Sequence, residues 1–160
     1  LAHSWIDAYE KRIPQTTTAK VIVDNEDDEF EPIPTPNIIQ AQALTKLYRS
    51  RQDGYKRGLV VMATGTGKTW LSAFDFLNMS AKSILFVAHR EEILDQAEKT
   101  FIRIFPNARI GRYSASNKDS DVDMLFASIQ TIGKQAYLDQ FSKNKFEYIV
   151  VDEFHHAAAN

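Results

Sequence analysis

The run Leu59-Val60-Val61-Met62-Ala63-Thr64-Gly65-Thr66-Gly67-Lys68-Thr69 decides how the rest of the chain is read. It opens with four apolar residues, the pattern of a short parallel strand buried on both faces. Two glycines then alternate with threonines, and glycine turns the backbone into positive φ without a steric penalty. From Lys68 to Met79 the spacing of Trp70, Ala73, Phe74 and Leu77 predicts a helix with one apolar face. Strand, glycine loop and helix in that order aim successive backbone N–H groups and the positive end of a helix dipole at one point. Phosphate oxygens satisfy both. Thr64, Gly65, Thr66 and Gly67 would wrap the phosphates, Lys68 would reach the β- and γ-phosphates, and the Thr69 hydroxyl would ligate Mg²⁺. The strict form of this pattern has glycine at position 62, where this chain has Met62.

Working outward, Ser83–Ala88, Met124–Ser128 and Tyr148–Val151 read as strands. Glu91–Ile104 and a segment near Thr131–Phe141 read as helices. Repeated strand–helix alternation implies right-handed crossovers and an α/β fold, a parallel sheet with helices on both faces. The last strand runs into Asp152-Glu153-Phe154-His155-His156, 84 residues after Lys68. A parallel sheet places its functional groups at the carboxyl ends of its strands. Asp152 would hold Mg²⁺, directly or through water, and Glu153 would polarise an attacking water. Alone, two acids at a strand end are equally a solvated terminus; the loop upstream gives them a role. His155 and His156 are adjacent and so lack the i, i+4 spacing of a zinc helix.

Upstream of the loop, Asn37 follows Pro36 as a helix N-cap. Ile39, Ala43 and Leu47, flanked by Leu44 and Tyr48, give helical spacing to Arg51, and Asp53-Gly54 marks a turn. Residues 1–13 carry a short amphipathic pattern (Trp5, Ile6, Tyr9, Ile13) that Pro14 ends. Between Pro14 and Pro36 lie four of the five prolines and six acids within Asp24–Glu31, the composition of a linker, with Lys20–Val23 as at most one short strand. The organisation read here is a preceding tail and linker over 1–36, then one α/β domain over 37–160.

Composition sets the class. The 160 residues are 44% hydrophobic and 25% charged, an ordinary globular mix. No apolar run approaches the roughly 18–20 residues that span a bilayer, so no membrane partner is expected. Zero cysteines exclude disulfides and thiolate metal sites and fit a reducing cytoplasm. Net charge is −2, but the acidic linker carries six of the 21 acids; the remaining 15 face 19 bases, so the body is mildly basic. The chain opens on Leu1, and Ala157-Ala158-Ala159-Asn160 directly follow the acidic motif. Both ends read as a piece of a longer polypeptide.

With these residues in place, the sequence resembles the superfamily 2 helicases of the DExH type, close to the helicase modules of restriction enzymes and repair translocases. Ala63–Thr69 is similar to motif I (Walker A) of that family and Asp152–His155 to motif II (Walker B). The resemblance implies a P-loop NTPase, RecA-like fold, truncated here after the motif II strand. It implies ATP and Mg²⁺ as ligands, with His155 coupling the ATP site to nucleic acid. Asn37–Ala43 resembles the adenine-reading segment, usually Arg-Pro-Tyr-Gln followed by alanine; only Gln40 and Ala43 are kept, and Gln40 is the implied adenine reader. Phe86–Gln96 resembles motif Ia, and Arg90 has the charge and fork to meet a backbone phosphate, as well as to pair with a nearby acid. Ala127–Ile132 resembles a later backbone-contacting motif through Ser128, Gln130 and Thr131; capping a helix fits Thr131 equally well.

The implied partners are nucleic acid, DNA ahead of RNA, and the remainder of the polypeptide with a second RecA-like domain. In this family a further strand inserts between those of motifs I and II, and the second domain supplies arginine fingers. Neither is present, so the chain by itself is expected to be marginally stable and nearly inactive. Two other readings stand beside an ATP-driven helicase: an ATP-switched DNA translocase or binding module without unwinding, and a P-loop ATPase with no nucleic-acid partner.

Overall fold

The computed structural model describes residues 34–63 and 65–152. The helix and strand expected within 1–33, Thr64, and Glu153, His155 and His156 lie outside the described residues.

Five consecutive apolar residues form β1 (Ile84–Ala88), buried throughout. Its neighbour β3 (Met124–Ser128) is buried throughout as well. They run parallel in register, Ile84 beside Met124 and Ala88 beside Ser128. β4 (Tyr148–Val151) lies parallel on the other side of β1, and β2 (Ile110–Tyr113) pairs parallel with β3. The four-stranded order is β2-β3-β1-β4. The parallel α/β sheet expected from the alternation is what forms.

Strand periodicity sorts the side chains into two layers. Ile84, Phe86, Ala88, Met124 and Phe126 face α2 (Lys68–Met79) and α3 (Glu91–Ile104), packing with Ala73, Phe76, Leu94, Ala97 and Phe101. Leu85, Val87, Tyr113, Leu125 and Ala127 face the opposite way, against Ile132, Tyr137, Phe141 and Phe146. A third cluster of Leu44, Leu71 and Phe74 seats α1 (Ile38–Gln52) on α2. Helices thus cover both faces, as a parallel sheet requires.

Four local expectations are corrected. The run Leu59–Met62 is not a strand of the sheet; Leu59 is 82% and Val61 84% exposed. A strand needs a neighbour to take its backbone bonds, and between this run and β4 lies a cavity of about 920 Å³, lined by Leu59 and Val60 on one side and Ile149–Val151 on the other. The single helix over Thr131–Phe141 is instead two short ones, α4 (Ile129–Ile132) and α5 (Gln135–Leu138), interrupted at Gly133. In α1 the buried side chains are Gln40 and Leu44, not Ile39, which is half exposed. Finally β2 was not anticipated, because Ile-Gly-Arg-Tyr lacks an apolar run. Its Gly111 is fitted to its neighbours: a Cβ there would fall 2.7 Å from the Asp119 Cβ and 2.8 Å from Val122 Cγ1. Arg112 ties this edge to α3, pairing with Asp95 and, at 3.2 Å, with Glu98.

Candidate nucleotide-binding site

Gly65 and Gly67 both adopt φ 80°, in the left-handed region. The two positions need glycine for different reasons. A Cβ at Gly65 would meet nothing within 4 Å, so conformation alone decides there. At Gly67 a Cβ would also stand 2.5 Å from the Gln40 amide nitrogen. Between them Thr66 folds the loop back, its hydroxyl donating to the Ala63 carbonyl at 2.6 Å. Gly67 is the N-cap of α2, and among the described residues no side chain caps that helix. The first-turn N–H groups of α2 therefore have no intrahelical acceptor and carry the positive end of the helix dipole. Lys68 and Thr69 stand in this first turn, half-buried and lining the large cavity.

Asp152 reaches the same cavity from the opposite wall. β4 carries it there: the Asp152 N–H donates to the Val87 carbonyl at 2.8 Å, so the parallel ladder extends to this residue. Lys68 and Thr69 thus border one space with Asp152, which lies 84 positions after Lys68. A cationic amine, a hydroxyl and a carboxylate around a glycine loop form a donor set that fits a nucleotide phosphate with a divalent cation. Thr64 and Glu153, the remaining expected members, lie outside the described residues.

Gln40 occupies a place the sequence did not fully indicate. It is buried, and its amide oxygen accepts from the Asn37 N–H at 2.9 Å while the Asn37 side chain accepts from the Gln40 N–H at 2.9 Å. This is a reciprocal capping box. The Gln40 amide nitrogen then donates to the Gly67 carbonyl at 3.0 Å and contacts that of Thr66 at 3.4 Å. Gln40 therefore braces the phosphate loop against α1. The Asn-x-x-Gln spacing was a signal for the capping box, of which the expected Asn37 cap is half, but not for the contact with the loop.

Deeper in the cavity, Asp75 of α2 is 1% exposed. The two terminal Arg51 guanidinium nitrogens donate to its carboxylate, one at 2.9 Å, and the Tyr148 hydroxyl donates to it at 2.7 Å. Burial pushes the Tyr148 phenol far above its ordinary range, with the neighbouring Asp75 charge acting the same way, so it remains a donor. Burial pulls Arg51 down, but its hydrogen bond to Asp75 and the carboxylate charge together more than offset this and hold it above its ordinary value. Neither Asp75 nor Tyr148 was singled out from sequence; an acid within an apolar helix face was the available clue.

The strand ends beside this site form a separate cluster. Ser128 donates to the Gln130 amide oxygen at 2.5 Å, and the Gln130 amide nitrogen bonds the His89 carbonyl and meets its ring Nδ1, each at 3.0 Å. The adjacent ends of β1 and β3 are cross-linked in this way, and His89 is a member that sequence reading missed. Ser128 is buried with its proton directed to Gln130, whereas Gln130 and Arg90 are exposed. Arg90 makes no ion pair among the described residues. Thr131 does not cap a helix: α4 begins at Ile129, with Ser128 as its N-cap, because the strand passes directly into the turn.

A glycine loop at the amino end of a helix, facing a carboxylate at the end of a parallel strand, is the arrangement of a nucleotide-binding α/β domain. The chain belongs to the family described as "Type III restriction enzyme, res subunit", whose model matches residues 33–160. It is 33% identical over 135 residues to a Saccharomyces cerevisiae protein named as an ATP-dependent helicase (IRC3), covering 76% of this chain and 19% of that one. It is 32% identical over 135 residues to the Escherichia coli type I restriction enzyme EcoAI endonuclease subunit, covering 79% of this chain and 16% of the relative. UvrABC system protein B of Aster yellows witches'-broom phytoplasma is 28% identical over 124 residues, covering 78% and 17%. The chain therefore spans less than a fifth of these relatives. Among solved structures, the Sulfolobus solfataricus SWI2/SNF2 ATPase core in complex with dsDNA shares the fold, with TM-score 0.60 at 16% identity over 74% of this chain and 26% of that one. The chain is thus a superfamily 2 helicase/ATPase module of RecA-like fold.

Proposed function

We propose that this module binds ATP and Mg²⁺ as part of a DNA-dependent ATPase that couples hydrolysis to translocation on, or unwinding of, nucleic acid. The observation that carries the reading is that Lys68, Thr69 and Asp152 border one cavity beside an uncapped helix N-terminus. In this reading Thr64–Thr69 hold the phosphates and Lys68 meets the β- and γ-oxygens. Thr69 and Asp152 hold the cation, which would neutralise charge on those oxygens when bound. Glu153 orients the attacking water, Gln40 turns from its loop contact toward the adenine, and His155 couples the site to the nucleic-acid side as in DExH proteins. Arg90 and Gln130 meet backbone phosphates, with Ser128 holding Gln130 in place. The cavity between Leu59–Met62 and β4 is where the resemblance puts a further strand. A second RecA-like domain of the full polypeptide would supply the arginine finger, and the absence of cysteine suits a reducing, cytoplasmic setting.

The test is ATP turnover by the full-length polypeptide with and without DNA. DNA should stimulate turnover, and Lys68→Ala should reduce it by about a hundredfold or more, since it removes the phosphate-binding charge. Arg90→Ala should weaken DNA affinity and flatten its salt dependence. Turnover indifferent to Lys68→Ala would sink the site, and salt-independent or absent DNA affinity would leave an ATPase with another partner. The matches to a restriction endonuclease subunit and to UvrABC system protein B keep a second reading, translocation without unwinding. Strand separation assayed on tailed and blunt duplexes decides between them.

A further inference from the structure

We infer that Asp75 is a positioning residue for the nucleotide site, acting through Arg51 and Tyr148 to hold α1, α2 and β4 in one arrangement; this rests on the function proposed above. Each of the three elements carries one piece of that site. Gln40 is in the first turn of α1, Lys68 and Thr69 are in the first turn of α2, and Asp152 follows β4. The contacts to Asp75 come from the opposite ends of α1 and β4, from Arg51 in the last turn and Tyr148 at the first strand residue.

Helix geometry makes this a two-point attachment. Gln40 and Arg51 are eleven residues apart, close to three full turns, and so project from one face of α1. Lys68 and Asp75 are seven apart, close to two turns, and share a face of α2. At one end Gln40 bonds the Gly67 carbonyl at 3.0 Å; at the other Arg51 bonds Asp75 at 2.9 Å, with Leu44 and Leu71 packed between. Tyr148 then brings β4 to the same carboxylate at 2.7 Å. A buried ion pair is weak evidence for stability, because well-packed apolar side chains often replace one without loss. Fixing registry between elements is the better-attested use of such a pair, and here the elements in question converge on one cavity.

The experiment compares the full-length polypeptide with its Arg51→Met/Asp75→Leu, Tyr148→Phe and Arg51→Lys variants, with DNA present. It reads thermal midpoint, kcat and KM for ATP, and the ATP-to-GTP ratio of kcat/KM. With the pair replaced by apolar residues the Tyr148 hydroxyl loses its acceptor, so the protein should melt slightly below the parent temperature. KM for ATP should rise by about fivefold to twentyfold with a smaller change in kcat, and preference for ATP over GTP should fall. Arg51→Lys keeps the charge but loses the two-nitrogen contact and should give an intermediate KM. Adding Gln40→Ala to the apolar pair should raise KM by less than the product of the separate effects, since both act on the same attachment. An unchanged KM and ATP preference in the folded double variant, or effects that multiply, overturns the inference. Should that variant melt early, Tyr148→Phe, which leaves the ion pair intact, is judged by the same KM comparison and the same cycle with Gln40→Ala. If Lys68→Ala and Gln40→Ala leave ATP binding unaltered, the site reading itself fails; if they weaken it and the Asp75 variants do not, only the positioning role fails.

Discussion

Ile84–Ala88 and Leu59–Met62 are both short apolar runs, and by composition either suits the interior of a parallel sheet. One is buried at every residue between β3 and β4, and the other exposes Leu59 and Val61 almost completely. Their side chains do not explain the difference; their neighbours do. β1 has a parallel partner on each edge, whereas Leu59–Met62 faces β4 across a cavity of about 920 Å³. Apolar character creates the demand for burial, but a strand exists only where adjacent backbone completes its hydrogen bonds. β4 shows the intermediate case: among the described residues it is paired with β1 alone, and Ile149 is 60% exposed.

The packed side should dominate stability. Phe101 is fully buried, with the rings of Phe86 and Phe126 at 6.1 and 5.6 Å. Phe101→Ala should cost about 3–5 kcal/mol, read from urea unfolding. A loss below about 1 kcal/mol would break the contrast, because it would mean that this core is no better consolidated than the open side.

On the open side the largest local contribution should come from the brace of the phosphate loop. Asn37→Ala removes half of the capping box that holds Gln40 and should cost about 1 kcal/mol. Hydrogen exchange at the loop should rise with it, and an unaltered loop would show that the Gln40 contact does not depend on the cap.

Truncating the exposed run should matter least among these substitutions. Leu59→Ala and Val61→Ala should each change unfolding free energy by no more than about 0.5 kcal/mol. A cost like that of a buried leucine would show that the run packs in a strand after all, and the comparison with β1 would collapse.

The smallest expected effect lies at the amino-terminal edge of the packed strands. The hydrogen bond from Arg109, together with its charge, holds the Asp123 carboxyl below its ordinary value against the opposing effect of burial. A depressed folded value means that this contribution is complete above the ordinary carboxylate pKa of about 3.9 and fades as pH falls through the lower folded one. Both side chains are solvent-exposed, so stability should differ only slightly between the parent and Arg109→Met. The small difference should be present at neutral pH and vanish below that acidic window; one that survives at lower pH would point to packing rather than charge.

Periodicity and punctuation determined much of this molecule. β1, β3 and β4, the long helices α2 and α3, the parallel α/β class, and the meeting of Lys68, Thr69 and Asp152 were all legible in the sequence. Each follows from local spacing, or from the rule that parallel strands deliver their ends to one edge. The tertiary structure alone decided that Leu59–Met62 stands apart from the sheet, that Ile-Gly-Arg-Tyr forms an edge strand, and that Gln40 grips the loop. It alone joined Arg51, Asp75 and Tyr148 around one buried carboxylate. The physical reason is common to all four: each depends on which backbone or side chain lies opposite in space, and spacing along one element carries no record of its partner on another.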